Sequence, residues 1–82
     1  MSLCNNFIDI DIGKFNFVVA THGTKNTEYE NKSSGIRTFI KEFRKELVSS
    51  LCILETTGGY ETELLLTLCN KNFAMHRANM QS

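Results

Sequence analysis

Three carboxylates fall where extended sequence would hold them still. Asp9 and Asp11 lie in Phe7-Ile8-Asp9-Ile10-Asp11-Ile12, and Glu55 ends the apolar run Leu51-Cys52-Ile53-Leu54. Side chains alternate along a strand, so Ile8, Ile10 and Ile12 share one face while Asp9 and Asp11 share the other, about 7 Å apart. Like charges at that distance repel if the face is buried, and a divalent cation would relieve them. Should the first and fourth strands be neighbours, Asp11 and Glu55 would meet near two adjacent strand ends. An Asp and a Glu converging there suit Mg²⁺ or Mn²⁺, which prefer oxygen ligands. In phosphoryl transfer, two such ions about 4 Å apart hold the attacking and leaving oxygens in line. Two or three acids cannot complete such a site, so further ligands are expected from elsewhere. Asp9 is the accessory candidate, because Lys14 or a hydrogen bond would satisfy it equally well.

The second feature is Glu55-Thr56-Thr57-Gly58-Gly59-Tyr60. An acid at a strand end, two hydroxyls, two glycines and a helix start offer backbone N–H groups to a phosphate. A plainer reading competes: Thr57 caps the helix, Gly58 and Gly59 make a tight turn, and Tyr60 packs as a helix anchor. Glu55 is harder to explain this way, since a carboxylate ending a buried strand needs a partner. His22 and His76 stand alone, and no Cys/His spacing points to zinc.

The elements that must position these residues follow from the pattern. Residues 6–12, 15–21 and 27–30 read as three strands joined by links too short for helical crossovers, hence an antiparallel meander. Ser33 and Ser34 are candidate N-caps. Ile36, Phe39, Ile40, Phe43 and Leu47 then recur as the apolar stripe of one amphipathic helix. Its outer face mixes Arg37, Lys41, Arg44 and Lys45 with Glu42 and Glu46, which reads as a solvated surface. Residues 51–54 read as a central strand covered on both faces, residues 60–70 as a second helix, and residues 72–76 as a last strand parallel to the one before. The expected order is β-β-β-α-β-α-β in one α/β domain with a mixed sheet.

The chain has 82 residues, 41% of them hydrophobic and 22% charged, enough for one small core. Nine basic residues balance nine acidic ones, so the whole-chain charge gives no signature of nucleic-acid or membrane binding. Cys4, Cys52 and Cys69 form no CxxC pair, and a reduced, cytoplasmic protein is the natural reading. No apolar run approaches the roughly 20 residues that cross a bilayer.

Taken together, the two motifs resemble the amino-terminal part of the IS110-family transposases. That family opens with a strand of the form G-I-D-V-S-K, where this chain has Asp9-Ile10-Asp11-Ile12-Gly13-Lys14. Its second motif, E-A/T-T-G-x-Y, matches Glu55-Thr56-Thr57-Gly58-Gly59-Tyr60. The resemblance covers nearly the whole chain and implies a RuvC-like, ribonuclease H type fold. It implies Asp11 and Glu55 as the first two acids of a D-E-D-D tetrad that binds Mg²⁺, with Lys14 on the motif lysine. It further implies metal-dependent DNA recombination, with a structured guide RNA and a separate serine-bearing domain in the complete protein. Asp9 replaces the family's usual glycine, and Asn79-Met80-Gln81 departs from an Asn-Pro-x-x-V pattern. The expectation is therefore a truncated, partial RuvC-like domain over residues 1–82, unable alone to cut or join DNA.

Two other classes compete. Actin-like ATPases and sugar kinases also begin with an I-D-I-G hairpin, although Lys14-Phe15-Asn16 replaces the Gly/Thr/Ser-rich phosphate-binding tip expected there. A non-catalytic oligomerisation module is the third reading, since a homodimer would cover an incomplete sheet.

Overall fold

A computed structural model describes residues 6–21, 26–56 and 58–79. Five strands form one mixed sheet: β1 (Asn6–Ile12), β2 (Asn16–Thr21), β3 (Thr27–Glu30), β4 (Ser50–Thr56) and β5 (Met75–Asn79). Among the described residues three helices accompany them: α1 (Ser33–Glu42), α2 (Arg44–Ser49) and α3 (Thr62–Asn70). The spatial order is β3-β2-β1-β4-β5. β2 is antiparallel to β1 and β3, as the short links demand, whereas β4 is parallel to both β1 and β5.

One face of this sheet carries the core. Ile8, Ile10 and Ile12 of β1, Phe17 and Val19 of β2, Tyr29 of β3, and Cys52 and Leu54 of β4 are all buried. They pack against Ile36, Phe39 and Ile40 of α1, Leu47 of α2, and Leu64 and Leu68 of α3. Aromatic rings consolidate the β2–β3 side. Phe17 stacks on Tyr29 with centroids 5.5 Å apart, and Phe39 meets Phe17 edge-on at 5.5 Å. The Tyr29 hydroxyl donates a 2.5 Å hydrogen bond to Glu42 Oε1 at the end of α1. Burial, and then the bonded carboxylate, raise the Tyr29 pKa above its ordinary value of 10.0.

Several details differ from the sequence pattern. The 36–47 stripe is two helices, broken at Phe43 (φ −109°, ψ 20°). Phe43 contains no local breaker; its ring packs on Tyr29 and Phe39, and the Phe43 N–H still bonds to the Phe39 carbonyl at 2.9 Å. The N-cap of α1 is Lys32, with no side-chain cap bond, so neither Ser33 nor Ser34 caps. β4 runs to Thr56 rather than stopping at Leu54, and β5 starts at Met75. Cys52 is buried as its apolar setting requires, whereas Cys69 is exposed. Leu51 and Ile53, expected to be covered, are only half-buried, because among the described residues the helices pack on the opposite face.

Candidate functional site

The uncovered face of the sheet holds all three acids. Asp9 and Asp11 are exposed there, and Glu55 is half-buried. Asp11 is directly in register with Glu55 across the parallel β1–β4 pair. Neighbouring strands lie about 4.8 Å apart, and residues opposite each other share a face, so the two carboxylates rise side by side. Asp9 is opposite Ile53 instead, one strand repeat back from Asp11. Glu28 extends the Asp11 row outward, since Val18 pairs with both Asp11 and Glu28. It is two strands away from Asp11, about 10 Å, too far to share an ion with it. Among the described residues no three His, Cys, Asp or Glu side chains gather as a metal set. The geometry thus unites Asp11 with Glu55 and leaves Asp9 outside that pair.

The loops beyond the two acids come together at the same end of the sheet, and one residue holds them there. The Asn31 side chain donates to the Gly13 carbonyl at 2.9 Å and to the Tyr60 carbonyl at 3.0 Å. Its backbone N–H donates to the Phe15 carbonyl at 2.7 Å. Both amide protons are therefore spent on bridging the turn after Asp11 to the turn after Glu55. Asn31 carries no motif signal, and in sequence it reads as an ordinary loop residue.

The remaining candidates are distributed around this bridge. Lys14 is exposed, with Nζ 5.3 Å from the Phe15 ring centroid, a cation–π contact at the tip of the β1–β2 turn. It does not pair with Asp9. Gly59 adopts φ +76°, the left-handed region that glycine enters without cost. A side chain at Gly58 would run into the Tyr60 ring. Tyr60 itself is 43% exposed and so is not the buried anchor that the pattern favoured. Helix α3 begins at Thr62 with a buried Glu61 at its N-cap, so the glycines precede the helix rather than open it. Thr57 and His22 lie outside the described residues. His76 is exposed beside Ile53 on the open face.

The donor set admits a metal in a limited sense. Mg²⁺ commonly keeps several waters and is held by one or two carboxylates together with substrate phosphates. Asp11 and Glu55 fit that requirement for one ion; the described residues do not supply a two-ion cage. No known protein-family profile matches this chain, and no curated protein sequence matches it. None of the helices among the described residues is long and apolar enough to cross a membrane.

Proposed function

We propose that this chain is the amino-terminal part of a DNA transposase of the insertion-sequence type, built on a ribonuclease H-like domain. In this reading Asp11 and Glu55 are two of the acids that bind Mg²⁺ or Mn²⁺ in the complete, cytoplasmic protein, whose partners are DNA and a guide RNA. The observation that carries it is the register of Asp11 with Glu55 on adjacent parallel strands. The two motifs of the resemblance are more than forty residues apart and have no local reason to meet. The sheet order, with β2 as the antiparallel strand, agrees with a ribonuclease H-like core.

A bound ion would supply Lewis-acid polarisation of a phosphoryl oxygen. The chain's own residues do the rest. Asp11 and Glu55 present oxygen ligands on a face open to a large substrate, and Asn31 keeps the two loops in register. Gly58 and Gly59 leave the backbone bare where a phosphate would approach. Calorimetric titration with Mn²⁺ tests the reading, using wild type, Asp11→Asn and Glu55→Gln. Losing even an outer partner of a metal site costs about 10–100-fold in affinity, so losing a ligand should cost at least that. Mn²⁺ binding that neither substitution weakens would defeat the assignment, and ATP binding would favour the kinase-like alternative.

The open face also favours one other reading. Phe7 is 49% exposed and pairs with half-buried Leu51, so the end of the sheet away from the acids is apolar. A stable dimer by light scattering, together with no Mn²⁺ binding, would make this an oligomerisation module instead.

A further inference from the structure

The opposite side of the molecule bears a second feature, which the balanced charge count conceals. A groove of about 540 Å³ is bordered by Arg37, Lys41 and Arg44 of the α1–α2 segment and by Lys71 beyond α3. Ser34 and Thr38 complete its wall over Ile40, and none of the described residues that line it carries a carboxylate. Arg37 and Lys41 lie four residues apart on one face of α1, and Arg44 opens α2 just past the break at Phe43, bordering the same groove. The acids that dilute them in sequence point elsewhere. Glu42 accepts the Tyr29 hydroxyl, and Glu46 lines a separate cleft beside Phe7 and Thr21. Among the described residues none of the four cations is ion-paired.

Like charges four apart on a helix, as Arg37 and Lys41 are, oppose one another by a few tenths of a kcal/mol, and among the described residues no ion pair offsets the repulsion. The four cations come from α1, α2 and the residue after α3 around one open groove, so they suit a row of anionic groups better than a single one. We propose that this groove binds the phosphodiester backbone of a nucleic-acid strand, on the face of the sheet opposite Asp11 and Glu55. The choice of nucleic acid among polyanions rests on the transposase reading; the anion site itself rests on the four cations. Contact is with phosphates, so binding is sequence-independent, needs no metal and weakens with salt.

The test is fluorescence anisotropy of a short labelled single-stranded oligonucleotide, titrated with the full chain in EDTA over a range of salt concentrations. Four phosphate contacts predict a log–log salt slope of about −2.8 for a single strand. The double charge reversal Arg37→Glu/Lys41→Glu should weaken binding by about tenfold or more at low salt and flatten the slope by about 1.4. Arg37→Lys should retain binding. Circular dichroism establishes that the variants are folded, as expected for four exposed side chains. Binding that is absent in wild type, or unchanged by the double reversal, overturns the inference. So does tighter binding to anionic lipid vesicles than to the oligonucleotide. EDTA separates the two readings: failure of Mn²⁺ to bind at Asp11 and Glu55 defeats the metal site alone, whereas indifference to the groove substitutions defeats this inference alone.

Discussion

Replacing Asn31 probes the join between the two halves of the candidate site without touching either acid. Asn31→Ala removes the side-chain bonds to the Gly13 and Tyr60 carbonyls, at 2.9 and 3.0 Å. A net hydrogen bond contributes about 0.5–1.5 kcal/mol, and both bonds are partly exposed. Water can hydrate the freed carbonyls, which puts the combined loss in the lower half of the range, about 1–2 kcal/mol. At roughly 4–8 °C per kcal/mol for a domain of this size, the thermal midpoint should fall on the order of 10 °C. Asn31→Asp is the sharper variant. It keeps the shape but sets a carboxylate against two carbonyl oxygens, so it should be worse than alanine at neutral pH. It should recover partly below pH about 4, where the protonated acid regains one donor. Urea denaturation at both pH values, followed by circular dichroism, measures this. The two variants should also weaken Mn²⁺ binding, because the turns after Asp11 and Glu55 lose their link. An Asn31→Ala stability within about 0.5 kcal/mol of wild type, the range of an ordinary surface substitution, would refute the bridge.

Two further outcomes follow from packing and burial. A Cβ at Gly35 would collide with the backbone of Glu30, which has no flexible end to give way. Gly35→Ala should therefore cost about 1–3 kcal/mol or more by urea midpoint, despite alanine's better helix propensity, and a stabilised variant would contradict the close approach. Alkaline pH should destabilise the fold early. Burial pushes the Cys52 thiol up from 9.0 to about 12, so above pH 9 the unfolded chain loses a proton that the folded chain keeps. Stability is full below that point and falls as pH rises, with a slope approaching about 1.4 kcal/mol per pH unit between the unfolded and folded values. Raised Tyr29 adds the same sign above pH 10. Cys52→Ala should flatten the curve between pH 9 and 10, and an unchanged slope there would show that the thiol is not its source.

The strands were legible because their signal is local. Alternation places Ile8, Ile10 and Ile12 inward and Asp9 and Asp11 outward whatever the rest of the chain does, and β1 occupies the residues that this pattern marks. The meander follows from links too short to cross over, and the parallel β4–β5 pair from the helix between them. Both acids were legible as candidates from residue type at a strand end. Helix boundaries were less so. Phe43 interrupts the stripe through ring packing against Tyr29 and Phe39, contacts that no window of sequence contains. The N-cap of α1 fell to Lys32 although serines were at hand.

What the sequence determined by itself was therefore the strands of the sheet and the shared outward face of Asp9 and Asp11, since both depend on neighbours a few bonds away. Tertiary structure alone decided which distant residues became partners. It made neighbours of β1 and β4, the condition on which Asp11 and Glu55 were expected to meet, and left Asp9 opposite Ile53, because strand register is a lateral choice made between segments. It turned Asn31 into the clasp between two loops. It also separated a helix face of mixed charge into a cationic groove and two acids engaged elsewhere. Charge counts and periodicities sum along the chain, whereas a binding surface depends on directions in space, and folding is what assigns those.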